Sequence, residues 1–286
     1  MKRVLITGQH SFLGASLKAY LEQFPERYQV DCISLRDNHW QAFSFQGYDS
    51  VYHTAAIVHQ TSSKDDPAAL EQYRHVNCDL ALGTAQKAKA EGVTQFLFLS
   101  TMAVYGVDAA YGKTVTITAQ TPTLPKDNYG ISKLEAEKAL LSLSDSHFHV
   151  AVLRPPMIYG EGCKGNYRTL VSLAEKLPFF PRVNNQRSML YVGNLNRLVQ
   201  LLIDHEEGGV FCPQDNDYVN TSAMVQAIAQ ARGKHIVLLP GFGWAMHLMR
   251  HVTGKVDKAF GSLCYDKALS AYKEDYCIVS FPESVK

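Results

Sequence analysis

Tyr129 and Lys133 stand four residues apart in the run Tyr129-Gly130-Ile131-Ser132-Lys133. On a helix that spacing puts both side chains on one face. An ammonium beside a phenol favours the phenolate, so the pair predicts a tyrosine pKa lowered towards neutrality. Such a group can deliver or remove a proton at a substrate oxygen. The bland reading is an exposed helix pair, since a chain with 15 tyrosines holds about one such spacing by chance. A second element of chemistry is Ser100-Thr101, directly after the apolar run Phe96 to Leu99. If that run is a strand, both hydroxyls lie at the carboxyl edge of a sheet, where open α/β folds bind ligands. A hydroxyl there would orient the reacting oxygen; its commoner fate is to cap the following segment.

A third element is Thr7-Gly8-Gln9-His10-Ser11-Phe12-Leu13-Gly14, between an apolar run and an amphipathic one. Small residues at that junction let the backbone turn tightly, approach a pyrophosphate and present free N–H groups at a helix N-terminus. Ser11 stands where the middle glycine of such loops is usual, and it still permits close approach while adding a hydroxyl. The end of the next strand should select the dinucleotide. An arginine there accommodates a ribose phosphate, whereas an acidic residue bonds the free ribose hydroxyls. The chain reads Ser34-Leu35-Arg36-Asp37. Arg36 in the selecting register favours NADP(H); a slip of one residue would put Asp37 there and favour NAD(H).

These groups need an alternating frame to hold them. Val4-Leu5-Ile6, Tyr28 to Leu35, Asp49 to His53, Gln95 to Leu99 and Val150 to Leu153 read as strands. Between them, Leu13, Leu17 and Leu21, then Pro67 to Ala90, then Asn128 to Leu143 read as helices. Strand and helix alternate to about residue 155, the pattern of a doubly wound parallel sheet. Beyond it the order is irregular, with helical segments expected near 166–177, 193–205 and 221–232. The expected division is therefore a dinucleotide-binding domain over 1–155 and a smaller substrate-binding cap over 156–286, partly interleaved with it.

Composition excludes several classes. The net charge of +1 gives no global field for nucleic acid or an anionic membrane. The six cysteines are scattered, without metal-ligand spacing, and read as reduced thiols in a cytoplasmic protein with no metal site. Met1-Lys2-Arg3 runs straight into an apolar strand, so no signal peptide is expected. The uncharged stretch Ile236 to Met249 is too short to span a bilayer and is broken by Pro240-Gly241, so no transmembrane segment is expected; core or subunit interface is its expected place.

Five motifs occur in order: Thr7-Gly8-x-x-Ser11-x-x-Gly14, His53-Thr54-Ala55-Ala56, Ser100 to Gly106, Tyr129 to Lys133, and Leu153-Arg154-Pro155-Pro156-Met157-Ile158-Tyr159-Gly160. Together, across nearly the whole chain, they resemble the extended short-chain dehydrogenase/reductase family in its nucleotide-sugar epimerase, dehydratase and reductase branch. The resemblance implies an α/β fold, a Rossmann-type doubly wound parallel sheet with a smaller mixed α/β substrate-binding domain. It implies Tyr129 as acid/base, Lys133 as its tuner and a ligand of the nicotinamide ribose, and Thr101 as the catalytic hydroxyl. Gly8, Ser11, Phe12, Leu13 and Gly14 would hold the cofactor phosphates. Ala55, Ala56 and Pro156 would line the cofactor pocket, and Asn77 would match the family's asparagine beside the site. Arg187, and less closely Asn166, would contact the diphosphate of a UDP-sugar. A homodimer through helices near 70–90 and 128–143 is also implied.

Three reactions are compatible with this reading. One is reduction by NADPH of the C4 ketone of a UDP-4-keto-6-deoxy-N-acetylhexosamine, the expectation that Arg36 favours; the wording of the motifs resembles bacterial capsule and O-antigen 4-ketoreductases. Another is 4-epimerisation with tightly held NAD. The third is a non-catalytic dinucleotide sensor on the same fold, against which the intact Thr101, Tyr129 and Lys133 argue. A dehydratase is disfavoured because Met102-Ala103, not an acidic pair, follows Thr101.

Overall fold

A computed structural model describes residues 1–58, 67–241 and 255–285. Residues 242–249 of the uncharged stretch lie outside the described residues. The chain opens with β1 (Lys2–Thr7), α1 (Phe12–Leu21), β2 (Tyr28–Ile33), the short α2 (His39–Ala42) and β3 (Ser50–His53). Then come α3 (Pro67–Arg74), a π-helical turn (His75–Asp79), α4 (Leu80–Ala90), β4 (Gln95–Leu99) and a 3₁₀ turn (Met102–Tyr105). β5 (Thr114–Ile117), α5 (Asn128–Leu141), β6 (His149–Leu153), β7 (Met157–Tyr159), α6 (Asn166–Lys176), β8 (Phe179–Pro181) and β9 (Met189–Tyr191) follow. The remainder is α7 (Val192–Asp204), β10 (Gly209–Phe211), α8 (Thr221–Ala231), β11 (Val237–Leu239), α9 (Lys255–Phe260), β12 (Ser262–Tyr265), a 3₁₀ turn (Lys267–Ser270) and α10 (Phe281–Ser284).

Six strands form one sheet in the order β10-β6-β4-β3-β1-β2, with every pairing parallel. β1 pairs with β2 on one side and β3 on the other, so the winding reverses between β1 and β3. That reversal opens a crevice at the carboxyl ends of these two strands. The fully apolar runs of β1, β4 and β6 suit a sheet covered on both faces. One face carries Leu5, Val51, Phe96, Phe98, Val150 and Val152 against Ala81, Ala85 and Ala88 of α4 and Ala136 and Leu140 of α5. Each large side chain buried there stabilises the fold by about 1.5–3 kcal/mol. Beside the other face, α1 and α7 are joined by Asn196 Nδ2 donating to Ser16 Oγ (2.9 Å) and Tyr20 donating to Gln200 Oε1 (3.1 Å).

The chain divides into two compact units. The first contains 1–106, 122–155 and 195–212; the second contains 107–121, 156–194 and 213–286. Two segments cross the boundary expected at residue 155. Residues 195–212 belong to the first unit because β10 completes its sheet beside β6. Residues 107–121 leave it because β5 pairs with β12. Two helical expectations also change: the helix expected over 67–90 is interrupted by the π turn, and α5 stops at Leu141.

The second unit is built from two-stranded parallel pairs, β7 with β9, β5 with β12 and β8 with β11. Buried Asp215 knots it together: it accepts from Tyr159 Oη (2.9 Å) and Asn194 Nδ2 (2.8 Å), and Tyr159 also meets Ser284 Oγ of α10 (2.8 Å). Among the described residues no helix is long and apolar enough to cross a membrane.

Candidate active site

The glycine loop lies at the winding reversal. Thr7 and His53 end β1 and β3 side by side, Thr7 Oγ1 meeting His53 Nδ1 at 2.9 Å. Gly8 follows with φ +102°, and its amide donates to Ile33 O at the end of β2 (3.0 Å). A Cβ on Gly8 would stand 2.8 Å from Thr54 Oγ1 and 2.9 Å from Ala55 N, so both conformation and space demand glycine. Ser11 is the N-cap of α1, its hydroxyl accepting from Gly14 N (3.4 Å). It therefore replaces the missing glycine with a helix cap. Phe12 and Leu13 are half-buried at the first turn, and Gly14 is buried. A strand end, a cradle that a Cβ would fill and a helix N-terminus free of acidic side chains fit a dinucleotide phosphate. Arg36 is exposed three residues beyond the end of β2, its amide bonded to Ser34 Oγ (3.2 Å).

Ala55 and Ala56 are half-buried in the segment after β3. Asn77 fixes that segment. It is fully buried in the π turn; its Oδ1 accepts from Ile57 N (2.8 Å) while Nδ2 donates to Ile57 O and Ser132 Oγ (3.0 Å each). Its polar atoms are thus committed to the protein, and it acts on the crevice by holding Ile57 and α5. A π turn is a rare helical irregularity often found at functional sites; it interrupts the α-helical ladder at Asn77.

Asp127 caps α5 by accepting from Gly130 N (2.8 Å). A Cβ on Gly130 would stand 2.9 Å from Ala103 O, so glycine lets α5 lie close to the 3₁₀ turn. Thr101 caps that turn by accepting from Ala103 N (3.1 Å), and its hydroxyl lies close enough to the Tyr129 phenol to act on its proton affinity. Lys133 is 2% exposed, donates to Leu99 O (2.8 Å) and lies 4.4 Å from the Phe98 ring centroid. Thr101, Tyr129 and Lys133 thus meet around the end of β4.

The electrostatics correct one expectation. The Tyr129 hydroxyl is pushed up, not down: burial dominates and Asp127 adds to it, while the neighbouring Thr101 hydroxyl only partly opposes them. The Lys133 ammonium is itself lowered to about 7 by burial, opposed by Glu137. Its donation to Leu99 O spends on the backbone a proton that was expected to favour the phenolate. His53, fully buried, is lowered to about 3 by burial and then by Lys133, so it is neutral near pH 7.

A cluster missed in the sequence adjoins this set. Glu137, 1% exposed, receives a forked bond from Arg154: Nη2 donates to Oε2 (2.6 Å) and Nε to both oxygens (3.1 Å each). Ser100 Oγ also donates to Glu137, and Arg154 Nη1 donates to Tyr105 Oη (3.0 Å). The only sequence signal was Glu137 four residues after Lys133, on the same helix face.

In the second unit, Pro156 is buried immediately before β7, and Asn166 is exposed as the first residue of α6. Arg187 bridges the backbones of Val219 and Leu263 and donates from Nη1 to Gly261 O (3.0 Å). Burial lowers its pKa. Among the described residues no group of three or more His, Cys, Asp or Glu could hold a metal ion.

Comparison with known proteins matches residues 4–212 to the model of the NAD dependent epimerase/dehydratase family. The UDP-glucose 4-epimerase of Vibrio cholerae is 31% identical, over 93% of this chain and 87% of that protein. Among solved structures, the UDP-glucuronic acid 4-epimerase of Bacillus cereus in complex with NAD superposes with a TM-score of 0.73 at 16% identity, covering 99% of this chain and 96% of that one. The dTDP-4-dehydrorhamnose reductase of Bacillus anthracis in complex with NADP gives 0.64 at 20% identity, covering 84% of each chain.

Proposed function

The chain belongs to the NAD dependent epimerase/dehydratase family, and from that membership we propose that it reduces the C4 ketone of a UDP-4-keto-6-deoxy-N-acetylhexosamine. A nicotinamide dinucleotide, when bound, supplies the hydride at C4. The remaining work belongs to the chain. Tyr129 gives its proton to O4, Thr101 holds that oxygen, and Lys133 holds the nicotinamide ribose and restrains Tyr129. Gly8, Ser11, Phe12, Leu13 and Gly14 hold the cofactor phosphates, and Arg36 takes the ribose phosphate of NADP(H). Ala55, Ala56 and Pro156 line the cofactor pocket, with Asn77 fixing its wall. Arg187, with Asn166, holds the UDP diphosphate.

The observation carrying this reading is the gathering of Thr101, Tyr129 and Lys133 around the end of β4, with Lys133 donating to Leu99 O (2.8 Å) and Thr101 capping the turn that follows. A phenol beside a second hydroxyl can quench an alkoxide formed at C4. A second reading, a 4-epimerase with retained NAD, is favoured by the Vibrio cholerae relative, similar along 93% of this chain. One experiment separates them: purified protein is mixed with NADPH and the 4-keto sugar nucleotide, and absorbance is followed. Stoichiometric loss of NADPH with a new reduced sugar nucleotide is expected. No loss, with NAD carried through purification and C4 epimers formed from UDP-hexoses, would replace the reductase by the epimerase.

A further inference from the structure

Tyr129, Lys133 and Glu137 recur at four-residue intervals on α5; Lys133 and Glu137 grip two consecutive residues at the end of β4, Leu99 and Ser100, and Thr101 is the next residue of the chain. Lys133 donates to the Leu99 carbonyl and Glu137 accepts from the Ser100 hydroxyl, while the Thr101 hydroxyl lies close enough to Tyr129 to act on its proton affinity. Glu137 is the anchored member, since the Arg154 fork leaves its carboxylate little freedom. Arg154 also reaches Tyr105, the last residue of the 3₁₀ turn that Thr101 caps. Both flanks of Thr101 are therefore tied to one ion pair: Ser100 through Glu137, Tyr105 through Arg154.

We propose that Glu137 is a positioning residue: clamped by Arg154, it fixes Ser100, and through it the Thr101 hydroxyl, against Tyr129, and it supplies the negative charge that acts on Lys133. The proposal rests on the reading of Thr101, Tyr129 and Lys133 as the reacting set. Its chemistry differs from theirs, because the Glu137 carboxylate is fully engaged by protein donors and touches no substrate. The groups facing Lys133 are Glu137 from its own helix, the Leu99 carbonyl and Phe98 ring of β4, and the His53 imidazole of β3. His53 is neutral near pH 7, so the charge that raises the proton affinity of Lys133 is that of Glu137.

The test uses Glu137→Gln, which keeps the shape and removes the charge, and Ser100→Ala, which keeps the ion pair and removes its link to the loop. The first readout needs neither substrate nor cofactor: the Lys133 Cε resonance is titrated by carbon-13 NMR, assigned by its loss in Lys133→Met. In Glu137→Gln the midpoint should fall by about one pH unit, because a stabilising charge is gone. The second readout is turnover of the 4-keto sugar nucleotide. Both variants should lose roughly tenfold in kcat with KM within about twofold, the mark of a misplaced reacting group and not of lost binding. Glu137→Asp should restore the Lys133 midpoint more fully than kcat. An unchanged Lys133 midpoint in Glu137→Gln, or a parental kcat in Ser100→Ala, would overturn the proposal. A parent protein inactive on every UDP-sugar would instead sink the functional reading, while the NMR midpoint still decides the role of Glu137.

Discussion

Tyr129 and Lys133 are both displaced from their solution behaviour by the same cause, loss of water. Tyr129→Phe should leave cofactor affinity intact and reduce turnover about a hundredfold or more; near-parental turnover would remove Tyr129 from the acid role. Lys133 has a second consequence. Its pKa is about 7 in the fold against 10.5 in a free side chain, so between those values the unfolded chain binds more protons than the folded one. Stability attributable to this group therefore rises with pH through that window, and its cost is greatest below about pH 7. Lys133→Met should raise the melting temperature at pH 6.5 by more than at pH 9.5, on the order of several degrees at the lower pH. An equal gain at both values would mean that Lys133 is not burdened by burial. The Tyr129–Lys133 spacing was readable because a helix repeats every 3.6 residues. The Arg154–Glu137 pair was not, because a bond between β6's end and α5 has no period. The direction of the Tyr129 shift was misread because spacing carries no information about burial.

At the scale of elements, the proposed function assigns the cofactor contacts to the turn after β1 and the end of β2. Gly8→Ala would force a Cβ into Ala55 N and Thr54 Oγ1 at a positive φ. About 1.4 kcal/mol of strain in the binding loop corresponds to a tenfold loss of affinity. Fluorescence titration with NADPH should show at least that loss, and an unchanged Kd would place the phosphates elsewhere. Arg36→Asp should lower affinity for NADPH relative to NADH; a constant ratio would mean that another residue reads the ribose phosphate. β4 was legible to the residue, since Gln95–Leu99 is an apolar run ending at a hydroxyl pair. The π turn was not, because its residues carry the same helical pattern as their neighbours. β2 ends at Ile33, two residues earlier than the apolar pattern suggested, because Leu35 is buried in the core beyond the strand.

For the whole molecule, the sheet could be expected from alternation alone, but which segments the two units exchange could not. β10 has only three residues, Gly209-Val210-Phe211, too few for any periodicity to separate a sixth strand from a loop. Arg187, in the second unit, offers a check on the division of labour. Arg187→Ala should raise KM for the UDP-sugar by roughly tenfold, the worth of one charge-assisted contact, with NADPH affinity unchanged. A reversed pattern would assign this arginine to the cofactor.

The return of residues 195–212 to the first unit also bears on how the protein is made. Gln95, fully buried in β4, spends its amide on the carbonyls of Leu202 (2.7 Å) and Glu207 (3.0 Å). Until the ribosome has delivered those residues, β6 is an open sheet edge and Gln95 has no acceptors. A chain ending after residue 155 and before β10 would hold five of the six strands and leave β6 as an uncovered edge. Fragments cut within that interval should aggregate on expression, whereas one ending just past Phe211 would carry every strand that the sheet requires.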